Sequence, residues 1–179
     1  MIILGIDPGL ATIGYGIIRK SGGSVFKSRH SIITPVEPKI KMDLECLSYG
    51  IIKTNASTPT AERLRQINNE LNKIMKLYQP KILAIESIFF FRNMKTALPV
   101  SQARGVILLT AAKRRLPIYE YTPLQIKKSI LDYGWAEKPK MQKKIKALLN
   151  LKEIPRPDDA ADALGAAICC AWSLQKQEA

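Results

Sequence analysis

The chain has 179 residues, with 28 Lys and Arg against 15 Asp and Glu, a net charge of +13. An apolar content of 46% with 24% charged residues excludes a disordered chain, and no apolar stretch approaches the roughly 20 residues of a membrane-spanning helix. What remains is a basic globular domain whose expected partner is a polyanion.

Ile2–Ile6 is a short β-branched run broken by Asp7-Pro8-Gly9, and extended character resumes over Ile13–Ile18, which predicts a β-hairpin. Gly14 and Gly16 alternate along its second strand, leaving one face bare for something to approach the backbone. Residues 19–41 carry six basic residues against the single acid Glu37, together with Gly22, Gly23, Pro35 and Pro38, and read as a basic loop or hairpin insertion. A third strand is expected over Leu47–Lys53. Ser57-Thr58-Pro59 then reads as the cap of a helix with an apolar stripe of Leu64, Ile67, Leu71, Ile74 and Leu77, stopping before Pro80. Lys81–Ile85 has the near-continuous apolar character of a strand covered on both faces, and it ends on Glu86.

A helix is predicted over Lys95–Arg115, packing through Ala97, Ala103, Val106 and Leu109, with Gly105 allowing close approach. A fifth strand follows at Pro117–Tyr121. Thr122-Pro123 marks a helix start leading to Leu131, and another helix covers Lys138–Leu149. Ile154-Pro155-Arg156-Pro157 interrupts regular structure before a last helix from Asp158 to about Gln175, with a frayed tail over 175–179. The expectation is one domain over 1–179, an α/β fold with a five-stranded mixed sheet flanked by helices.

Four acids fall where elements end: Asp7 after the first strand, Glu86 after the buried strand, and Asp159 with Asp162 at a helix start. Asp159 and Asp162 are three apart and share a helix face. Converging carboxylates repel one another unless cations neutralise them, and hard divalent ions prefer such oxygens. A pair of these ions can activate water and stabilise a leaving oxygen in phosphodiester cleavage. Locally, Asp7 also reads as an Asx turn, and Asp158, Asp159 and Asp162 as helix-dipole or cap residues, with Asp158 at the N-cap, whereas Glu86 is the hardest to explain as surface decoration. His30 is the sole histidine, so little supports a His-based catalytic unit. Cys46, Cys169 and Cys170 have no metal-ligand or disulfide spacing and read as reduced thiols. With no leader-like N-terminus, they point to a cytoplasmic protein.

Gly5-Ile6-Asp7-Pro8-Gly9 with Gly14-Tyr15-Gly16, Ala84-Ile85-Glu86 with Phe89 and Asn93, Gln102-Ala103-Arg104-Gly105, and Asp159-Ala160-Ala161-Asp162-Ala163-Leu164 occur in that order. Together they closely resemble the RuvC-type Holliday-junction resolvases over almost the whole chain. The resemblance implies a ribonuclease-H-like fold and a homodimer that nicks opposing strands of a four-way DNA junction in recombination and repair. It implies Mg²⁺ as cofactor, with Mn²⁺ as substitute and two ions per site, and a branch-migration motor of the RuvA and RuvB type as partner. By resemblance, Asp7, Glu86, Asp159 and Asp162 are catalytic metal ligands. Lys127 and Lys138 are catalytic and DNA-contacting lysines, and Phe89 is the aromatic that stacks on a base at the junction centre. Asp158 falls outside the motif.

The interval from Asp7 to Glu86 is longer than usual for the family, with the surplus between Arg19 and Lys41. Residues 113–152 hold eleven Lys or Arg against Glu120, Asp132 and Glu137, an excess of +8 that includes Lys143, Lys144 and Lys146. Three other readings remain open on sequence. One is an RNA–DNA-hybrid nuclease of the same fold, another a non-catalytic junction binder. The third is an actin-like ATPase, against which the short chain and the placement of Asp132-Tyr133-Gly134 after a helix both count.

Overall fold

The computed structural model describes residues 1–21, 43–87, 94–131 and 138–178. Strands β1 (Ile2–Asp7), β2 (Thr12–Lys20), β3 (Leu44–Lys53), β4 (Ile82–Glu86) and β5 (Ile118–Tyr121) form one sheet in the order β3-β2-β1-β4-β5. β1 and β2 pair antiparallel, as do β2 and β3, whereas β1–β4 and β4–β5 are parallel. The sheet is therefore mixed and five-stranded, as the pattern of runs and breaks implied. Its helices are α1 (Thr60–Tyr78), α2 (Met94–Lys113), α3 (Pro123–Leu131), α4 (Lys138–Leu148) and α5 (Asp158–Glu178). α5 runs past the expected stop at Gln175.

Alternation along the strands divides the core into two layers. Leu4, Ile6, Ile13, Ile17, Leu83 and Ile85 face α1 and α2, where they meet Ile67, Leu71, Met75, Ala103 and Ile107. Ile3, Ile18, Ile82 and Ala84 face the opposite way, against Ile126, Ile130, Met141, Ile145 and the alanine-rich flank of α5. With both faces covered, β4 is the continuous apolar strand that Lys81–Ile85 suggested.

Three local expectations are corrected. The α1 stripe ends on Met75 rather than Leu77: Met75 is fully buried and Leu77 is 73% exposed, because the helical phase brings position 75 back under Leu71. Ser57 and Thr58 do not cap α1. Pro59 is the N-cap and makes no side-chain cap bond, while the Ser57 amide donates instead to Asn55 Oδ1 at 3.0 Å. On α2, Leu109 points outward and Gly105 has open space beside it, so the close approach expected there is not made among the described residues.

The start of α3 is as anticipated and more complete. Thr122 Oγ1 accepts from the Gln125 amide at 3.1 Å, and Gln125 Oε1 accepts from the Thr122 amide at 2.8 Å, a reciprocal capping box with Pro123 in the first turn. β2 and β3 pair as far as Lys20↔Leu44, so residues 22–42, most of the predicted insertion, join the two ends of a hairpin. They lie outside the described residues, as do Phe89 and His30.

Candidate active site

The register of β1 and β4 sets the first two acids. Gly5 pairs with Ala84 and Ile6 with Ile85, so Asp7 and Glu86 come next on neighbouring strands. By alternation both face the α3–α5 layer, on the side of Gly5 and Ala84. α5 supplies the other two because the sheet beneath it is bare. A β-carbon on Gly14 would stand 1.9 Å from the Asp159 carbonyl oxygen, and one on Gly5 would stand 2.0 Å from that of Ala163. Only glycines permit this approach, and it brings the first turns of α5, with Asp159 and Asp162, over the end of β1. The bare face inferred from Gly14 and Gly16 is thus occupied by the helix that carries the acids.

Electrostatics record the convergence. The Asp7 carboxyl is pushed up to about 8 by burial first, then by the charges of Glu86, Asp162 and Asp159, with Lys138 acting in the opposite sense. Glu86 rises to about 7 through burial and Asp162, countered by Lys127 and Lys138. Asp162 is raised by burial against the hydrogen bond and charge of Lys138. Burial alone would lower Lys138, but its hydrogen bond and charge pairing with Asp162, followed by those with Asp158, raise it. These acids are therefore neighbours in a partly desolvated site, which cap or surface roles do not explain.

Both lysines reach the same place. A cleft of about 200 Å³ is lined by Glu86, Asp162, Lys127 and Lys138 over a floor that includes Ile126 and Met141. The capping box orients α3 so that Ile126 enters the core and Lys127, its neighbour, reaches the cleft. Lys138 opens α4 and stands 3.1 Å from an Asp162 oxygen and 3.3 Å from Asp158. Lys143 and Lys144 point to solvent. A larger depression of about 680 Å³ lies along the outer face of α1, but there Arg65 and Lys73 are paired with Glu62 and Glu70 within α1.

As the side chains stand, no three Asp, Glu, His or Cys groups among the described residues are close enough to enclose one metal ion. The donor chemistry is still that of a hard divalent cation: oxygen ligands only, partly desolvated, with Asp7 and Glu86 raised by burial and by neighbouring acids.

One sequence assignment moves. Asp158 is the first helical residue of α5 rather than its N-cap, because the Ala160 and Ala161 amides donate to the Pro157 carbonyl at 3.1 and 3.4 Å. Its carboxylate instead accepts from Gln142 at 2.9 Å and meets Lys138, and these contacts hold it below the ordinary carboxylate range. Gln142 was not among the residues singled out from sequence. A lone glutamine inside a basic helix carries no signal, and its partner lies across a helix–helix contact.

Comparison with known proteins identifies the family and the fold. The family described as crossover junction endodeoxyribonuclease RuvC matches residues 31–170. The crossover junction endodeoxyribonuclease RuvC of Caldicellulosiruptor saccharolyticus is 48% identical over 169 residues, covering 94% of this chain and 91% of that protein. The structure of Thermus thermophilus RuvC superposes with a TM-score of 0.84 at 28% identity, covering 99% of this chain and 97% of that one. T. thermophilus RuvC in complex with Holliday junction substrate does so at 0.81 and 27%, covering 98% and 96%. The sheet and its helices are ribonuclease-H-like, and the chain belongs to the RuvC family of crossover junction endodeoxyribonucleases.

Proposed function

We infer that Asp7, Glu86, Asp159 and Asp162 form the cation-binding centre of a hydrolase that resolves four-way DNA junctions by nicking opposed strands. The observation that carries this reading is the convergence of Asp7, Glu86 and Asp162, each raised by burial and by other members of the set, beside Lys127 and Lys138. The family implies dependence on a divalent metal. The finer assignment is two Mg²⁺ per site, with Mn²⁺ able to substitute, held by these four carboxylates. Bound there, the ions supply a Lewis acid that polarises the phosphate and lowers the pKa of water.

The chain's own groups supply the rest. The ammonium groups of Lys127 and Lys138 border the cleft where a phosphodiester would lie, and they offset charge that builds on its oxygens in the transition state. Water forms the new bond to phosphorus as the 3′ oxygen leaves, giving 5′-phosphate and 3′-hydroxyl ends that can be religated. Phe89, two residues beyond the strand-end segment Glu86-Ser87, is assigned by resemblance to stack on an exposed base, worth roughly 1–3 kcal/mol.

Two opposed nicks need two sites, so the functional unit is a homodimer. The exposed face of α2, with Leu98 and Leu109 on either side of Gly105, suits its seam. A branch-migration motor of the RuvA and RuvB type is the partner the family implies. Among the described residues no helix is long and apolar enough to cross a membrane.

The test is to incubate the protein with a synthetic four-way junction, a linear duplex and an RNA–DNA hybrid, with and without Mg²⁺. Junction cutting that requires the metal is expected, with Asp7→Asn or Glu86→Gln lowering it roughly 10³-fold or more. Undiminished cutting by either variant overturns the site assignment, and equal cutting of all three substrates overturns the junction selectivity.

A further inference from the structure

Asp158 lies outside the four acids assigned to the cation, yet its oxygens meet three partners. Oδ1 accepts from Gln142 Nε2 at 2.9 Å and stands 3.5 Å from Arg156 Nη1, while Oδ2 is 3.3 Å from Lys138 Nζ. The same Nζ is 3.1 Å from Asp162. Lys138 and Gln142 are four apart on α4, as Asp158 and Asp162 are on α5, so one turn of each helix meets one turn of the other. Gln142 is only 6% exposed. A buried primary amide is costly unless it is bonded, and Asp158 accepts its hydrogen bond.

The arrangement resolves a competition. The Lys138 ammonium and a divalent cation both seek the Asp162 oxygens. A lysine with no other carboxylate would swing into solvent on its flexible stem whenever Asp162 turned to the metal. A carboxylate outside the metal set, fixed by a buried glutamine, keeps the ammonium in place.

Resting on the nuclease reading above, we propose that Asp158 is a positioning residue: it tethers Lys138 at the mouth of the cleft while Asp162 engages the cation, and Gln142 fixes the tether. Asp158 and Lys138 are 45% and 49% exposed, and ion pairs that open to water contribute little to folding. The network therefore acts on placement more than on stability.

A double-mutant cycle tests this, using Asp158→Asn and Lys138→Ala in the full-length protein with a four-way junction and Mg²⁺. Asp158→Asn is expected to lower kcat about 10-fold, the scale of outer-shell losses, with KM and the melting temperature unchanged. In the Lys138→Ala background the same change should cost less than about twofold, because the group it positions is gone. Gln142→Met should reproduce a smaller share of the loss with the same dependence on Lys138.

Calorimetric titration with Mn²⁺ and no DNA gives a readout independent of cutting. Asp158→Asn should weaken Mn²⁺ binding several-fold, since the ammonium then bonds Asp162 alone, and Lys138→Ala should abolish that loss. A full loss of kcat or of Mn²⁺ affinity that persists without Lys138 overturns the tether, as does a lowered melting temperature that tracks the loss. A wild-type protein that leaves the junction intact in Mg²⁺ refutes the resolvase reading separately, and the Mn²⁺ titrations still decide the tether.

Discussion

Asp7 concentrates the electrostatic cost of the site in one side chain. Its carboxyl titrates near 8 in the fold against an ordinary 3.8, and Glu86 near 7 against 4.5. The folded chain thus holds protons that the unfolded chain has already released at neutral pH, and stability falls wherever the folded state binds the more protons as pH rises. This contribution is fully present below about pH 4 and is lost as pH climbs through about 7 and then 8. Asp158, held below its usual range, acts in the opposite direction but only in acid. In chelator, the melting temperature should therefore decline between pH 5 and 8.5, and Asp7→Asn should flatten that decline and melt about 3 °C or more above the parent at pH 8. Thermal unfolding followed by circular dichroism checks both. A parent whose melting temperature is flat across this window would show that Asp7 and Glu86 are not desolvated together.

The site depends on how closely one helix lies on one sheet. α5 rests on backbone at Gly5 and Gly14, and the contact at Gly14 is with the carbonyl of Asp159 itself. Gly14→Ala places a methyl where that carbonyl stands, and a backbone atom cannot swing aside as a flexible side chain can. The first turn of α5 must shift, at a cost of about 1–3 kcal/mol for overpacking. Because the shift carries Asp159 and Asp162, cutting should fall by much more than stability does; a junction-cleavage assay beside a melting curve measures the two, and unchanged cutting would mean α5 does not set the acids.

This element also shows what a sequence can disclose. Alternate glycines on β2, the buried run before Glu86 and the Thr122-Pro123 cap are local signals, and each names an element and its orientation. The α1 stripe was misplaced at its end because Met75 and Leu77 flank the same helical phase and only packing chooses between them. Gln142 carries no signal, and Asp158 reads only as an N-cap, for a related reason: their contact joins two helices across 16 residues, and no periodicity encodes a partner.

At the scale of the molecule, the described residues of one chain bring one set of acids together beside Lys127 and Lys138, while resolution requires two cuts related by the symmetry of the junction. The proposed homodimer would pair through α2. Its inner face, Ala103, Ile107 and Ala111, is fully buried against the sheet. Its outer face leaves Leu98 69% and Leu109 55% exposed, with nothing among the described residues within 4 Å of a β-carbon placed on Gly105 between them. An apolar stripe broken by a glycine suits a second copy of the same helix, since the missing side chain lets two backbones approach and a two-fold axis repeats the contact. Leu109→Glu puts a charge into that seam from each subunit. Sedimentation of this variant should give half the wild-type mass with an unchanged circular dichroism spectrum. Cutting of a four-way junction should shift from paired nicks, which release two linear duplexes, to single nicks that leave the junction connected. The +13 charge resides in each chain, so monomers should still bind DNA, with affinity falling as salt rises, but along a shallower slope than the dimer because fewer phosphates are engaged at once. Wild-type mass retained by Leu109→Glu would place the seam elsewhere on the surface.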